Sequence, residues 1–283
     1  MRVTILGAGT AIPAKGYSPA GIYAQVGREH LLLDAGPGTL QRLHAAGGSF
    51  LHLDRIFLTH FHIDHCLDMA TMLFALRIPQ PVRKKPLAIY GPHGLKTLYR
   101  KLNSAFEGWL EPPVYRAGQL AAFPIAGGQK MKGTPMYQLA LQELGEQTVR
   151  LNGYTVTTRR VDHYQTGAIG YRLQSGGKVL AYSGDTDTCQ AIVELGKGAD
   201  LLILECSMPD ERKAGGHLTP SECGYIAAAT RCRHLVLTHF YPEVDPDRAA
   251  AEVAQATGIP TVAATDRLVV EIATPDPVPG APR

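Results

Sequence analysis

Apolar positions follow two different periods along the chain. Short runs rich in Val, Ile and Leu, such as residues 2–6, 22–26 and 201–205, have the composition of β-strands. Between such runs lie stretches with an apolar residue every three or four positions, at 64–77 and 95–106, which predict helices. This alternation is typical of an α/β protein.

The remaining elements follow from the same patterns and from local start signals. Further strands are predicted at residues 30–34, 55–58, 87–90, 138–144, 154–160, 168–173, 178–183, 234–237 and 267–272. A capping box, with Thr219 before Pro220 and Glu222, predicts a helix start. Asp245-Pro246 opens a last helix in the same way. We expect one domain over residues 1–273 and a loose Pro-rich tail over 274–283.

Composition excludes several classes of protein. The 283 residues are 45% hydrophobic and 19% charged, which is too apolar for a disordered chain. A net charge of +3 is too small to indicate nucleic-acid binding by itself. No apolar run approaches the roughly 18 residues of a membrane span, so we expect no membrane partner. The five cysteines form no C-x-x-C pair, which predicts a reduced, cytoplasmic protein.

One four-residue sequence occurs twice. Leu58-Thr59-His60-Phe61 recurs as Leu237-Thr238-His239-Phe240, and each copy follows a predicted strand. A match this short can arise by chance. If both strands lead to one cleft, however, each half of the chain delivers a histidine there, and the protein consists of two similar α/β halves.

A cluster of histidines is the strongest chemical signal. The sequence His60-Phe61-His62-Ile63-Asp64-His65 places three imidazoles and a carboxylate within six positions. Such groups gain nothing structurally from proximity, but they suit zinc, and also iron or manganese. His60 and His62 can point the same way from an extended chain, whereas Asp64 and His65 start a helix. The spacing therefore favours two metal ions.

This motif and its companions resemble the metallo-β-lactamase superfamily, specifically its ribonuclease Z-like branch. The blocks that carry the resemblance are Leu33-Asp34-Ala35-Gly36-Pro37-Gly38-Thr39, His60-x-His62-x-Asp64-His65, Asp162-His163 with Gly170-Tyr171-Arg172, Tyr182-Ser183-Gly184-Asp185-Thr186 and Leu237-Thr238-His239-Phe240. They cover nearly the whole chain in the family's order. The resemblance implies a four-layer αββα sandwich of two similar halves, with the metal site at the sheet edge between them.

The resemblance also implies a ligand set for two Zn²⁺ per chain. The first ion would be held by His60, His62 and His163. The second would be held by Asp64, His65 and His239, and Asp185 would bridge both. Asp34 is expected to hold the metal loop through backbone bonds rather than to bind metal.

The expected chemistry is hydrolysis of a phosphodiester by a hydroxide that bridges the two metals. Beside Asp64, two residues match further catalytic positions of the branch. Glu205 ends a buried strand, and His217 precedes the capped helix. A carboxylate–imidazole pair can protonate a leaving group, although His217 could also be an ordinary loop histidine. A metal-stabilised binding module is disfavoured, because structural zinc sites are closed shells without such a pair.

Two departures from the branch concern the substrate. Only 21 residues separate His163 from Asp185, where many ribonuclease Z enzymes carry a long tRNA-binding arm. The basic cluster Arg83-Lys84-Lys85 indicates a solvated turn more than a tRNA contact. The expected partner is therefore a small ester or an RNA 3′ end. The alternative is a hydrolase of another ester class, namely an arylsulfatase, phosphotriesterase or lactonase. Asp68 replaces a common glycine and is either a carboxylate behind the ligands or an exposed helix residue.

Residues 108–135 form a long stretch without clear periodicity. The stretch contains Trp109, Tyr115 and Phe123, which are candidate substrate-binding residues. Long loops of this kind are often lids or binding loops. Its apolar residues would cover either the substrate cleft or the partner in a homodimer, and both alternatives remain open at this point.

Overall fold

The computed structural model describes residues 1–77, 83–116, 119–121 and 134–272. Strands β1 to β17 span Arg2–Gly7, Gly21–Val26, Glu29–Leu33, Arg55–Phe57, Leu87–Gly91, Val114–Arg116, Gln119–Ala121, Thr134–Pro135, Leu139–Glu143, Gln147–Leu151, Tyr154–Arg160, Ile169–Ser175, Lys178–Tyr182, Leu201–Glu205, Leu235–Thr238, Thr261–Ala263 and Val269–Glu271. Helices α1 to α7 span Thr39–Ala45, Ile63–Cys66, Asp68–Ala75, Leu95–Ala105, Gln190–Gly196, Pro220–Thr230 and Pro246–Thr257. The predicted strands and helix starts are confirmed, including the capping box at Thr219.

Two seven-stranded sheets form the centre of the fold. The first has the order β17-β1-β2-β3-β4-β5-β9 and the second has the order β10-β11-β12-β13-β14-β15-β16. In each sheet, antiparallel strands are followed by parallel ones, at β3-β4-β5-β9 and at β13-β14-β15-β16. The halves therefore share a topology, as the repeated four-residue sequence predicts. Strands β6, β7 and β8 form a small separate sheet.

Three hydrophobic clusters separate four layers. One cluster lies between the two sheets, and the other two lie between each sheet and its helices. Strand β14 shows the arrangement, because Leu201 and Ile203 belong to the central cluster while Leu202 and Leu204 face the helices. A strand covered on both faces has a continuous apolar run rather than an alternating one. The four-layer αββα sandwich is confirmed.

The helix predicted over 64–77 is divided into α2 and α3. Its hydrogen-bond ladder is broken because Asp68 N donates to Ala35 O at 2.8 Å, and Ala35 N donates to His65 O at 2.6 Å. A Cβ atom on Gly36 would lie 2.0 Å from Asp64 O, so only glycine allows this approach. The loop that follows β3 thus holds the start of the histidine motif.

Two charged side chains are buried, which excludes the exposed alternative for Asp68 and corrects the prediction that Arg83 lies in a solvated turn. Asp68 is buried, and its carboxylate accepts a hydrogen bond from Leu40 N at 2.6 Å, which anchors the first turn of α1. Arg83 is also buried, and its guanidinium donates to the carbonyls of Leu51 and Leu53. Arg83 therefore holds the chain before β4 instead of lying in a solvated turn.

The structure adds elements that the hydrophobic pattern did not predict. Helices α1 and α5 each have seven residues, and strands β10 and β16 lie at the edges of the second sheet. Short or half-exposed elements carry little periodicity, so pattern alone does not reveal them. The predicted tail, residues 274–283, lies outside the described residues. Within the described parts of the chain, no helix combines the length and apolar character needed to cross a membrane.

Candidate metal centre

The candidate ligands lie at strand ends in both sheets. His60 follows β4 of the first sheet, and His239 comes directly after β15 of the second. Asp185 follows β13, and His163 follows β11. Because the carboxyl ends of parallel strands share one edge of a sheet, chain segments distant in sequence meet there. The structure brings all seven predicted ligands together at this edge.

The first cluster contains His60, His62, His163 and Asp185. The nitrogen atoms His62 Nδ1 and His163 Nε2 lie 3.1 Å apart. Asp185 Oδ2 lies 3.8 Å from both His60 Nε2 and His163 Nε2. The space between these atoms is surrounded by three imidazole nitrogens and one carboxylate oxygen.

The second cluster contains Asp64, His65 and His239. His65 Nε2 lies 3.1 Å from His239 Nε2, and Asp64 Oδ2 lies 3.6 Å from the same His239 nitrogen. Asp185 reaches this cluster with its other oxygen, since Oδ1 lies 3.2 Å from His65 Nε2 and 3.5 Å from His239 Nε2. One carboxylate thus presents a different oxygen to each cluster.

The donor set fits divalent metal ions. His60 Nε2 and Asp185 Oδ1 are buried and make no hydrogen bond. Buried polar atoms almost always have a hydrogen-bond partner, so these two atoms, one at each cluster, indicate that they bind another ligand. Neutral imidazole nitrogen and carboxylate oxygen are the ligands that zinc prefers, and they also suit iron or manganese.

Hydrogen bonds to the imidazole nitrogen that faces away from the clusters orient the candidate ligand nitrogen on the other side of the ring. In four of the histidines, Nδ1 contacts a group outside the clusters and Nε2 faces inward. These contacts are His60 with Thr59 Oγ1 at 3.0 Å, His65 with Asp34 Oδ2 at 2.8 Å, His163 with Gly216 O at 2.8 Å and His239 with Ser207 Oγ at 2.9 Å. In metal sites, contacts of this kind fix the orientation of the ring and leave the opposite nitrogen free to bind the ion.

Asp34 organises several of these contacts. It adopts a positive φ of 57°, and its carboxylate accepts hydrogen bonds from Thr59 N, the Thr59 hydroxyl, His65 Nδ1 and Tyr182 Oη at 2.7 to 3.1 Å. The predicted hydrogen bond to the backbone is present, at Thr59 N, and the Asp34 carboxylate also binds the side chains of three residues. Asp34 therefore positions His65 from behind.

Burial and charge set the protonation states at the centre. Burial lowers the pKa of His60 well below its usual range, and the neighbouring His65 adds to this shift. Burial alone would raise the pKa of Asp185, but His239 and His65 hold it well below its ordinary value. Burial also opposes protonation of His65, yet Asp185 and Asp34 raise its pKa well above normal. Buried carboxylates that favour a positive charge beside them suit a cation site.

Glu205 and His217 lie next to the clusters. The imidazole Nδ1 of His217 is 3.1 Å from Glu205 Oε1, and both side chains are buried. Burial lowers the pKa of His217, but the hydrogen bond and charge of Glu205 outweigh burial and raise it. One nitrogen of His217 lies within 4.8 Å of ligand atoms of Asp185 and His239. The arrangement can present a proton beside the metal clusters.

Ser207 contacts the candidate ligand His239, and the sequence did not indicate this role. Its hydroxyl donates to Glu205 Oε2 and accepts from His239 Nδ1 at 2.9 Å. Glu205 also accepts from Thr186 N at 2.6 Å, next to Asp185. Ser207 stands two positions after Glu205, but its contact with His239 forms only when β14 and β15 pair. No sequence pattern signals that contact.

We expect Ser207→Ala to weaken metal binding at the second cluster. Without the hydroxyl, the orientation and tautomer of His239 are no longer fixed, and loss of such a contact typically lowers metal affinity by about 10–100-fold. Competition with a chromophoric chelator measures the affinity. Ser221→Ala is a matched control, because that hydroxyl binds Asp210 at the start of α6. An unchanged affinity for both ions would exclude this role of Ser207.

The structure describes the three predicted substrate residues to different extents. The Trp109 ring lies 5.5 Å from the Phe74 ring, and the Arg77 guanidinium lies 5.5 Å from the Trp109 ring. Trp109 lines an apolar groove of about 680 Å³, and no candidate ligand is among the described residues that line it. Tyr115 lies in β6, and Phe123 is outside the described residues. A substrate role for these three residues stays a prediction.

Comparisons with known proteins agree with the fold and the motifs. The ribonuclease Z of Methanothermobacter thermautotrophicus is 26% identical over 313 aligned positions, which cover 99% of each chain. Among solved structures, the metallo-β-lactamase fold protein YhfI of Bacillus subtilis superposes with a TM-score of 0.77 at 22% identity, covering 95% of this chain and 98% of its own. The short form of human tRNase Z gives 0.73 at 23% identity, with 97% and 100% covered.

A family model adds the assignment. The model described as a β-lactamase superfamily domain matches residues 29–240, well over half of the chain. The matched region contains every candidate ligand, from His60 to His239. This protein therefore belongs to the β-lactamase superfamily, within which it resembles the ribonuclease Z branch.

Proposed function

We propose that this protein is a metal-dependent hydrolase that cleaves phosphodiester bonds with two divalent ions, zinc being the first candidate. The observation that carries this proposal is the position of Asp185. Its two oxygens face separate clusters of imidazole ligands, as a carboxylate that bridges two ions must. The names of the relatives, ribonuclease Z and tRNase Z, support the phosphodiester as the bond that is cleaved.

The metals and the protein residues have separate tasks. When bound, two ions supply an activated water and stabilise the charge that develops on the phosphoryl oxygens. His60, His62 and His163 would hold the first ion, and Asp64, His65 and His239 the second. Asp64 also accepts a hydrogen bond from Ala11 N at 3.2 Å, which fixes the loop between β1 and β2 beside the centre.

His217 is the proton donor in this proposal. Because Nδ1 faces Glu205, Nε2 is the nitrogen that can protonate the leaving oxygen or stabilise charge on it. Besides the hydrogen bond with His217 Nδ1, the Glu205 carboxylate accepts three others, from Thr186 N, Leu218 N and the Ser207 hydroxyl. It is nearly inaccessible to solvent, so its role is to hold His217 in place and keep it protonated.

The segment between His163 and Asp185 supports a class of substrate. Residues 164–184, between His163 and Asp185, are described throughout and consist of a turn, β12, the Gly176-Gly177 turn and β13. A compact hairpin in this position supports a small ester or an RNA 3′ end as the substrate rather than a folded tRNA. It equally favours the second candidate function, hydrolysis of a small sulfate, phosphotriester or lactone. The five unpaired cysteines support a reducing, cytoplasmic compartment.

A substrate panel tests the proposed function. Metal-reconstituted protein is assayed for kcat/KM on bis(p-nitrophenyl) phosphate, p-nitrophenyl sulfate, a p-nitrophenyl phosphotriester, a lactone and a pre-tRNA. We expect the phosphodiester to give the highest value, and chelator-treated protein to give none. A higher value for the sulfate, the phosphotriester or the lactone would replace the proposed reaction with that one. Cleavage of pre-tRNA alone would overturn the argument from the compact hairpin.

We further propose a homodimer that uses the apolar groove beside α3. Leu67, Phe74 and Phe106 line it and are exposed. An exposed apolar patch of this kind often marks an interface. We expect Phe74→Ser with Phe106→Ser to halve the mass measured by light scattering. Val262→Ser, at an equally exposed site on β16, is the control. An unchanged mass would exclude this groove as the interface of a homodimer.

A further inference from the structure

Tyr164 has an unusual conformation beside the metal centre. It follows His163 directly, has a positive φ of 49° and leaves 60% of its surface exposed. A bulky residue rarely adopts this backbone conformation, which costs roughly 1–3 kcal/mol. Asp34 and His239, which belong to the same centre, also have positive φ values. Three of the six non-glycine residues with a positive φ in the described part of the chain thus lie at the clusters, and strained backbone is often found at functional sites.

The backbone opposite Tyr164 is shaped to accept its ring. A Cβ atom on Gly216 would lie 3.1 Å from two Tyr164 ring atoms, and Gly216 itself has a φ of 79°. Gly216 O accepts the hydrogen bond of His163 Nδ1, and the Thr166 hydroxyl donates to His163 O at 2.7 Å. The ring is therefore held against the loop that carries His217.

Two tyrosine rings border His217. The Tyr164 ring lies 6.0 Å from the His217 ring at 77°, and the Tyr241 ring lies 6.0 Å away at 73°. Tyr164 also lies 4.8 Å from His163, and Tyr241 lies 6.1 Å from His239. Each tyrosine thus contacts one metal-cluster histidine and the candidate proton donor. Burial and the charge of Asp64 raise the pKa of Tyr241 to about 12, so its hydroxyl stays neutral.

Exposure of a tyrosine alone would not indicate a binding role, because single exposed aromatic residues are common. Tyr225 of α6 is such a residue, since it is 65% exposed and has no positive φ. Tyr164 differs from it in its backbone strain, its contact with Gly216 and its position beside His217. These three features together indicate a binding role.

We propose that Tyr164, together with Tyr241, binds a planar aromatic ring attached to the phosphoryl group of the substrate. Tyrosine rings attract other aromatic rings in offset or edge-to-face geometry, and stacking of a base on such a ring is sequence-tolerant. The ring is that of an aryl ester or of a nucleobase, which share this chemistry. Tyr164 is then a specificity-determining residue, and this inference rests on the proposed function.

Non-hydrolysable ligands test the proposal by binding rather than by turnover. The dissociation constants of phenylphosphonate and methylphosphonate are measured by calorimetry on metal-loaded protein. Uridine 5′-monophosphate and ribose 5-phosphate form a second pair that differs only in the base. We expect the wild-type protein to bind the aromatic member of one pair about tenfold more tightly. The pair that shows this preference identifies the aryl ester or the nucleobase as the source of the ring.

Variants then assign the preference to Tyr164. Tyr164→Ala and Tyr164→Leu should abolish it, whereas Tyr164→Phe and the control Tyr225→Ala should retain it. Bound metal and thermal midpoint should not change in any of them. Equal binding of both members of each pair by the wild-type protein would overturn the proposal even if diesters are hydrolysed. A preference that persists in Tyr164→Ala, or a loss that follows loss of metal, would also overturn it.

Discussion

Asp185→Asn should weaken the binding of both metal ions and lower kcat by about 10³-fold or more, equivalent to about 4 kcal/mol. Asparagine keeps the shape of the side chain but replaces one ligand oxygen with an NH₂ group. Because Asp185 Oδ1 faces His65 and Oδ2 faces His60, one cluster must lose its ligand whichever way the amide points. The remaining amide oxygen carries no charge, so the other cluster is weakened as well.

Elemental analysis measures the metal content of this variant, and hydrolysis of bis(p-nitrophenyl) phosphate gives its kcat. Asp200→Asn is a matched control, because Asp200 is also a buried carboxylate at a strand end of the second sheet, where it binds Lys178. His239→Ala should mainly empty the second cluster. If Asp185→Asn retained two ions and full activity, the bridging role of this residue would be wrong.

His217→Ala should lower kcat by about 10²–10⁴-fold with metal content unchanged. The reason is that His217 lies beside both clusters without being needed for either ligand set. A proton donor matters most for a poor leaving group, so the loss should be larger for an alkyl diester than for a p-nitrophenyl diester. Rates on both substrates, together with elemental analysis, measure this.

Two comparisons sharpen the result for His217. His234→Ala is the control, since the ring of His234 contacts Asp200 O away from the clusters. Glu205→Gln should act in the same direction with a smaller effect on kcat, and it should also weaken metal binding because Glu205 contacts Ser207 and Thr186 N. An equal loss on both leaving groups, or a loss explained by missing metal, would show that His217 is not a proton donor.

The sequence alone indicated metal ligands in the local histidine motif, whereas the assignment of His163, Asp185 and His239 was implied by the resemblance to the metallo-β-lactamase superfamily. His60, His62, Asp64 and His65 lie within six positions, and the strands before His60 and His239 are recognisable from their apolar runs. Strand ends at one sheet edge then bring distant motifs together. The four layers were implied by the resemblance to the metallo-β-lactamase superfamily, and the consecutive apolar positions of β14 predicted only that this strand is buried.

Contacts that depend on tertiary structure could not be predicted. Ser207 reaches His239 only through the pairing of β14 with β15, and the ring of Tyr164 lies against Gly216 only because of its positive φ. Arg83 looked like part of a solvated basic turn, but buried carbonyl groups near β4 bind its guanidinium. In each case a residue with an ordinary local pattern received its role from a partner far along the chain.

Titration of metal-free protein with Zn²⁺ tests the two-ion centre most directly. Bound metal and the hydrolysis of bis(p-nitrophenyl) phosphate are followed in the same samples. Because Asp185 presents one oxygen to each of two ligand clusters, we expect two ions to bind per chain and full activity to require the second. Full activity with a single bound ion, and no change on adding more, would contradict the two-metal account.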